Sequence, residues 1–484
     1  MTEARGNARG AGRDAGRRRH LRGHPEETIF LFLALATIAL LLILGRGMTF
    51  FADEWAIIER REISLEDWLR PFNEHWLGTT IVAYRLMLGA VGLSSYLPYL
   101  GFVAVLHAIV AAEVLVLVRR SSGPLVGLAA STVVLLFGSG FENLYWGAQI
   151  GFVGATAMGL GALILLEPRA DAVRPSGGRV VSAVALLTLA MTTSGFGIFM
   201  LGAVGLEVLA DRRRWPLVIP LAIPAAVYLA WFLTLGRSGV GFARDPFSAE
   251  AFADVPRFIA EGMGDAAGSV VGVGPSIGLF VVALVTIVVV VRSLRGRPPG
   301  ARFLGSVGGI VVMYAILGLV RGGVLETAAL YPRYSYLSGI LFAIALGALV
   351  GRPRLPSRAA GRAAGRVALG AIGGSLLVMA LVWNGRLLIV GRDIFLDRAD
   401  LTRALIAVAL DPELPAIVDR DRDLILVPSP NSLARIVRAH GSPLQDEFVD
   451  PLPEIPDDVL AEARKRVLGD AAATYPLIGR PARP

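Results

Sequence analysis

The chain has 484 residues, of which 54% are hydrophobic and 18% are charged, and its mean hydropathy is +0.62. Its net charge of +8 does not predict nucleic-acid binding, because the arginines lie in short clusters between apolar runs, where orientation in a membrane explains them. The chain has no cysteine, which excludes disulfides and thiolate metal sites. The apolar runs are about as long as a bilayer core is thick and predict an all-α polytopic membrane protein.

The chain begins with a basic tail. Residues 1–28 are rich in glycine, alanine and arginine, a composition that predicts disorder, and we expect this tail to be cytoplasmic. The apolar run 29–44 lacks a small-x-small cleavage site after it. We therefore expect it to remain as an anchor and not to be removed as a signal peptide.

Residues 29–390 contain the predicted membrane spans. Hydropathy alone gives about twelve, but that number puts the arginine-rich links outside, against the positive-inside rule. The weakest segment, 81–93, is short and carries Arg85, so we interpret 79–93 as an amphipathic helix on the outer membrane surface. About eleven spans then remain: 29–44, 97–118, 124–137, 147–166, 180–192, 196–209, 216–235, 270–291, 303–320, 337–350 and 367–390.

This topology predicts two large outer regions. Residues 49–95 form the first outer loop, which carries the surface helix, and residues 391–484 form a small extracytoplasmic C-terminal region. The pattern in the C-terminal region predicts short helices and a strand at 424–427, hence an α/β appendage. The protein would be a multi-pass protein of the plasma membrane with a cytoplasmic N-terminus and an extracytoplasmic C-terminus.

Polar residues with no obvious place in a membrane protein fall in the outer loops. Asp53 and Glu54 directly follow the first span, where Arg, Lys, Trp or Tyr would end a lipid-facing helix at lower cost. The two acids could also cap the next helix, and this alternative stays open. The other candidate residues on the same predicted side are His75, Arg85, Glu142, Gln149, Arg321 and Arg333.

These candidates also have structural explanations. An interfacial hydrogen bond would account for His75, snorkelling from a surface helix for Arg85, and interfacial anchoring beside tyrosines for Arg333. Glu142 and Gln149 could serve only for polar packing at a helix end.

Two ionisable residues lie inside the span 97–118. His107 and Glu113 are six residues apart and do not share a helix face, and Glu113 can reach toward the basic end of its helix. We interpret both as structural.

Four motifs carry a resemblance to a known family: Phe51-Ala52-Asp53-Glu54-Trp55, Asn73-Glu74-His75-Trp76-Leu77-Gly78 leading into Tyr84-Arg85, Glu142-Asn143-Leu144-Tyr145-Trp146 with Gln149, and Tyr331-Pro332-Arg333-Tyr334. Their order and spacing among the spans resemble the GT-C superfamily of integral membrane glycosyltransferases. That superfamily includes protein O-mannosyltransferases, aminoarabinose transferases and arabinosyltransferases. In layout the resemblance covers roughly residues 28–350.

The resemblance implies transfer of a hexosyl or pentosyl group from a polyprenyl-phosphate donor to an acceptor on the extracytoplasmic face. It implies Asp53 as the base, since the base of the superfamily is the first acid after the first span. A carboxylate at a partly dry interface has its pKa raised toward working pH, and arginine binds phosphate bidentately. We expect these site roles: catalysis by Asp53 with Glu54, phosphate binding by Arg85, Arg321 and Arg333, and further substrate contacts by His75, Glu142 and Gln149.

Several questions stay open. Asp53, Glu54 and His75 could hold a divalent metal, so the cofactor is undetermined. A transporter or lipid flippase of cell-envelope precursors is the main alternative, although it would need ionisable residues along a path through the bilayer. A non-catalytic scaffold that binds a partner through its C-terminal region is a further alternative. The sequence identifies neither the sugar nor the acceptor.

Overall fold

The computed structural model describes residues 25–168, 174–239, 245–322, 328–351, 359–412, 414, 418–424, 426–446 and 452–468. Within these ranges every extended regular element is helical, and the one β-type pairing is an isolated bridge between Phe72 and His75. The predicted all-α class is confirmed for this part of the chain. Residues 1–24 of the predicted basic tail lie outside it.

The helices are numbered here in chain order. The first nine are α1 Pro25–Leu44, α2 Asp53–Arg60, α3 Leu65–Leu69, α4 Gly78–Val91, α5 Leu97–Ser122, α6 Pro124–Leu135, α7 Phe141–Tyr145, α8 Ile150–Leu166 and α9 Gly177–Thr193. The others are α10 Phe196–Leu209, α11 Val218–Thr234, α12 Ala249–Val271, α13 Pro275–Leu294, α14 Ala301–Arg321, α15 Pro332–Val350, α16 Ala359–Ala409, α17 Pro430–His440 and α18 Asp457–Leu468.

Nine helical segments of the described chain are long and apolar enough to cross a membrane. They are Pro25–Leu44, Leu97–Ser122, Pro124–Tyr145, Gly147–Leu166, Arg212–Thr234, Pro275–Leu294, Ala301–Arg321, Pro332–Val350 and Gly370–Ala409. This confirms a multi-pass membrane protein. The predicted spans 180–192 and 196–209 form α9 and α10, which have 17 and 14 residues and do not reach that length. Their crossing stays a prediction.

Helix α4 is the segment that we predict to lie on the membrane surface. It has 14 residues, and at about 1.5 Å per residue it extends roughly 21 Å, too short for a bilayer core of about 30 Å. Its length therefore agrees with the interpretation of 79–93 as a helix that does not cross. Its position on the outer surface stays a prediction.

The first helix begins earlier than predicted. Pro25 opens α1, and proline is favourable at this position because its missing N–H has no helical partner there. Glu26 and Glu27 in the first turn pair with Arg119 at the end of α5, at 3.4 and 2.5 Å. Residues 25–28, which we assign from the sequence to the disordered tail, thus belong to the anchor helix.

The C-terminal region differs from the predicted α/β appendage. Helix α16 has 51 residues and runs through the predicted boundary at residue 390. The predicted strand at 424–427 is not formed at residues 424, 426 and 427, and residue 425 lies outside the described part. The apolar side chains of Leu424, Leu426 and Val427 pack against the helical core, so burial and not strand pairing explains this short apolar run.

The C-terminal region packs onto both ends of the first outer loop. The Leu93 N–H donates to the carbonyl of His440 at 2.8 Å, at the end of the loop. At its beginning, the buried Arg403 donates to the carbonyl of Gly47 at 2.9 Å. Arg403 and His440 thus hold the chain on either side of the candidate acids.

Candidate active site

The segment before Asp53 is held by an aromatic cluster. Phe50 is fully buried and packs edge-on against Trp55, Tyr96 and Tyr99, with ring centroids 5.9, 4.9 and 5.0 Å away. Residue Ala52 has φ 48° and ψ −111°, a conformation that L-residues rarely adopt. This turn directs the chain from the end of α1 into α2, which begins at Asp53.

Asp53 lies beside two predicted site residues. It is partly buried, and burial raises the pKa of its carboxyl group, while the positive charge of Arg333 and the nearby His75 act in the opposite direction. These residues come from the first outer loop and from α15, far apart in the sequence. Arg333 and His75 thus lie near enough to Asp53 to influence its charge.

Glu54 has different surroundings. Its fully buried carboxylate accepts hydrogen bonds from the hydroxyls of Tyr84 and Tyr96, both at 2.9 Å, and from the N–H of Phe51 at 2.7 Å. Burial raises its pKa to about 8, although these hydrogen bonds oppose the shift. The predicted catalytic role does not fit this enclosed position. Glu54 instead ties the start of α2 to α4 and to the residues before α5.

A tight turn positions His75. The backbone groups of Phe72 and His75 exchange two hydrogen bonds of 3.0 Å around Asn73, which has φ 51°. The next residue, Trp76, stacks on Trp231 of α11 with centroids 4.8 Å apart and fixes the turn against the bundle.

The ring of His75 has a lowered pKa and remains partly accessible. Burial lowers its pKa to about 4, and Asp53 opposes this shift. The side chain is nevertheless 32% exposed. Its Nδ1 faces Gly195, in the turn between α9 and α10, where an added methyl group would lie 2.9 Å from Nδ1. A neutral imidazole at this place can donate or accept a hydrogen bond beside Asp53.

Arg333 is held loosely. Its Nε lies 3.2 Å from Oε2 of Glu142, but both atoms are buried and neither has a hydrogen-bond partner among the described residues. The guanidinium group also lies over the rings of Trp146 and Tyr331, at 5.9 and 5.2 Å. An ion pair without hydrogen-bond geometry leaves Arg333 able to exchange Glu142 for another anion.

A further arginine, which is not among the predicted site residues, lies over two neighbouring aromatic rings. The guanidinium of Arg398 on α16 sits over Phe51 at 5.2 Å and over Phe395 at 4.8 Å. The ring of Phe51 in turn contacts Trp146 at 5.8 Å. We name the series Arg398, Phe51, Trp146 and Arg333 the cation–aromatic wall. Phe51, two residues before Asp53, belongs to this wall.

Arg321 reaches the site through an acid that was not among the candidates. At the end of α14 it forms an ion pair with Glu74, and the same carboxylate lies 3.8 Å from Nε2 of His75. The placement of Arg321 near the site thus agrees with the prediction.

Arg85 is placed elsewhere. Its Nη1 donates to the carbonyl of Ile58 at 2.9 Å, and its positive charge contributes to lowering the pKa of His440 in the C-terminal region. The guanidinium thus links α4 to α2 and faces α17. This position does not support the predicted role of Arg85 as a phosphate ligand.

Gln149 supports the segment that carries Glu142. It is buried, and its Oε1 accepts from Nδ2 of Asn143 at 3.2 Å. Asn143 Oδ1 and the hydroxyl of Tyr145 are buried without a hydrogen-bond partner in the described part of the chain. The direct substrate contact predicted for Gln149 is thus not supported. Asn143, which was not among the candidates, has an open acceptor, as does Glu142.

Asp53, Glu54 and His75 are the residues that could hold a divalent metal. Within the described ranges no three His, Asp or Glu side chains cluster as metal ligands would. Of the three residues that could share a metal, Glu54 is turned to the tyrosines. A divalent cofactor stays an open prediction.

Comparison with known proteins adds to this picture. No family model matches the sequence, and no curated protein matches it. The chain aligns with the crystal structure of ArnT from Cupriavidus metallidurans bound to undecaprenyl phosphate over 84% of each chain, with a TM-score of 0.53. The chain is similar in fold to ArnT.

The apo state of ArnT gives the same result. It aligns over 91% of each chain with a TM-score of 0.51, and in both comparisons the sequence identity is 14%. Identity this low transfers no residue role from ArnT. The likeness shows the fold, and it confirms at that level the resemblance predicted from the four motifs.

Proposed function

We propose that this protein is a membrane glycosyltransferase that moves a sugar from a polyprenyl-phosphate donor to an acceptor on the extracytoplasmic face. The observation that carries the proposal is the approach of Arg333 and His75 to Asp53, at the first turn after the anchor helix. The ArnT fold supports the proposal, since one of the aligned ArnT structures is bound to undecaprenyl phosphate.

Asp53 would act as the base. It accepts the proton of an acceptor hydroxyl while the hydroxyl oxygen attacks the anomeric carbon of the donor. The bond between that carbon and the phosphate oxygen breaks, and its electron pair leaves with the polyprenyl phosphate. A single displacement of this kind inverts the anomeric centre. Burial favours proton uptake by Asp53 because it raises the pKa, and Arg333 keeps the carboxylate available.

Arg333 would bind the phosphate of the donor. Its contact with Glu142 lacks hydrogen-bond geometry, so a phosphate oxygen can replace that carboxylate with better-aligned bonds. Arg398, over Phe51, supplies further positive charge, whereas the charge of Arg321 is paired with Glu74 beside His75. The rings of the cation–aromatic wall offer an apolar face for the sugar or for the first isoprene units.

His75 would orient the acceptor. Its ring is neutral and partly exposed, so it can hold a hydroxyl through a hydrogen bond without competing with Asp53 for the proton.

Of the two ionisable residues inside the span, His107 gives the transporter alternative no support. Both ring nitrogens of His107 are engaged, Nδ1 with the Tyr336 hydroxyl at 2.8 Å and Nε2 with the Leu135 carbonyl at 3.2 Å. These contacts favour the structural role assigned to His107 from the sequence.

An Arg333→Gln variant tests the proposed phosphate site. Purified protein is given a panel of polyprenyl-phosphate sugars and a membrane extract as acceptor source, and undecaprenyl-phosphate binding is measured by native mass spectrometry. Loss of a charge-assisted bidentate contact should lower transfer and lipid binding at least about tenfold. The control, Arg435→Gln, removes an exposed charge from α17 and should leave both unchanged. Equal activity and binding in wild type and Arg333→Gln would contradict the proposal.

A further inference from the structure

A buried ionic cluster lies at the far end of the bundle from Asp53. Arg321 and Arg302 stand at opposite ends of α14, roughly 28 Å apart along the helix. Arg302 donates Nε and Nη2 to the carboxylate of Glu207 at 2.6 and 3.0 Å. Arg214 donates Nη1 to the same carboxylate at 2.8 Å. The cluster thus joins α10, α14 and the 3₁₀ turn between α10 and α11.

The cluster has more positive than negative charge. Its second carboxylate, Glu167, pairs with Arg120 at 2.6 Å and lies 3.7 Å from Arg302. The two carboxylates of Glu167 and Glu207 therefore face three guanidinium groups, those of Arg120, Arg214 and Arg302, and one positive charge is not neutralised. Arg212 and Arg213 lie exposed beside them. An anion would be attracted to this end of the bundle.

One edge of Arg214 has no partner in the described chain. The residue is only 7% exposed, yet its Nε and Nη2 make no hydrogen bond. These two nitrogens form the edge that binds a carboxylate or phosphate through two parallel bonds. Arg302 has the same edge filled by Glu207. A buried charged donor without an acceptor is destabilising, so an oxyanion from outside the chain is the expected partner.

The surroundings of Arg214 fit a lipid phosphate. The adjacent Trp215 is 51% exposed, and the guanidinium of Arg212 lies over its ring at 5.9 Å. Tryptophan and arginine together are typical of a membrane–water boundary. Helix α11 follows directly and exposes Ile219 and Ile223, which offer acyl chains an apolar surface beneath the basic cluster. Basic pockets between transmembrane helices at the cytoplasmic side bind anionic headgroups.

We propose that the Nε and Nη2 edge of Arg214 binds the phosphate of an anionic phospholipid, whose acyl chains lie along α11. The lipid provides the acceptor that Arg214 lacks and joins α10, α11 and α14 at the end predicted to be cytoplasmic. This site is separate from the proposed transferase site, and its lipid stabilises the fold without entering the reaction.

The test uses the purified full chain with dioctanoyl phosphatidylglycerol, the matching phosphatidylcholine, or inorganic phosphate. Native mass spectrometry measures retention, and thermal unfolding measures stabilisation. We expect phosphatidylglycerol to be retained and to raise the unfolding midpoint more than phosphatidylcholine, and inorganic phosphate to have no effect. Arg214→Lys keeps a positive charge beside Glu207 but lacks the two-nitrogen edge. Its affinity for phosphatidylglycerol should fall about tenfold.

The matched control is Arg295→Ala, which removes an exposed charge from the link between α13 and α14 at the same end of the bundle and should leave the affinity unchanged. Equal affinity of wild type and Arg214→Lys, or equal losses in both variants, would overturn the proposal. An equal effect of inorganic phosphate would assign the site to the free anion and also overturn it. If Arg214→Lys does not fold, equal retention of phosphatidylglycerol and phosphatidylcholine by wild type would also overturn the proposal.

Discussion

Two adjacent acids at the start of α2 have opposite surroundings. Asp53 faces Arg333 and His75, whereas Glu54 is enclosed by Tyr84 and Tyr96. Successive residues of a helix point about 100° apart, so neighbouring carboxylates at a helix start seldom share an environment. The acid pair after the first span predicts a site here, but adjacency in the sequence does not tell which acid is open.

The pKa of Glu54 predicts how stability depends on pH. Its pKa rises from 4.5 in the unfolded chain to about 8 on burial, so the folded state binds a proton that the unfolded state releases between these values. The contribution of Glu54 to the free energy of unfolding is therefore most favourable below about pH 4.5. It falls by up to about 5 kcal/mol as the pH rises to about 8.

A Glu54→Gln variant isolates this effect, because glutamine stays neutral throughout. Thermal unfolding of wild type and variant in detergent, from about pH 5 to about pH 8, should give a smaller decrease in midpoint for the variant. Glu66→Gln, at an exposed acid of the same loop, should follow the wild type. A Glu54→Gln decrease as steep as that of wild type would exclude Glu54 as the source.

The C-terminal helices hold the first outer loop in place. They contact the end of this loop at Gly92. Gly92 has φ 63° and ends α4, and a methyl group there would collide with the carbonyl oxygen of His440. The next residue, Leu93, donates its N–H to that same carbonyl. Only glycine permits this conformation together with so close an approach.

Gly92→Ala should therefore destabilise the protein by about 1–3 kcal/mol and loosen the contact with α17. Thermal unfolding measures the first effect, and limited proteolysis of the C-terminal region measures the second. Gly89→Ala is the matched control, because Gly89 lies within α4 with open space around it and should be neutral or slightly stabilising. Equal behaviour of the two variants would show that the contact with His440 carries no stability.

The helices of the bundle were predictable from the sequence to a greater extent than the site. Apolar runs bounded by arginines identify most of the spans, whereas the interpretation of 79–93 as a surface helix rests on Arg85 and the positive-inside rule and stays a prediction. The apolar run 424–427 is too short for its pattern to distinguish a strand from buried irregular chain. Arg398 was missed because its role arises from contact with Phe51, which lies 347 positions earlier. Arg85 was assigned to the site because it lies in the same outer loop as Asp53. Its side chain, however, contacts the carbonyl of Ile58.

Over 84% of its length the chain is similar in fold to ArnT, at 14% identity, so the predicted orientation in the membrane rests on the distribution of arginines. The absence of cysteine makes this orientation measurable, since any cysteine introduced is the only one. Ile63→Cys lies exposed in the first outer loop, and Arg295→Cys lies exposed in the link between α13 and α14. A membrane-impermeant maleimide should label the first in intact cells and the second only after permeabilisation. The reverse pattern would contradict the topology.

We propose that Asp53 is the base of a sugar transfer from a polyprenyl-phosphate donor. The most direct measurement is transfer of labelled sugar, with release of polyprenyl phosphate, by reconstituted wild type, Asp53→Asn and the control Glu66→Gln. Asp53→Asn keeps the size of the side chain but cannot accept the proton, so transfer should fall about 10²- to 10⁴-fold while Glu66→Gln retains it. Transfer by Asp53→Asn at the wild-type rate would contradict the account.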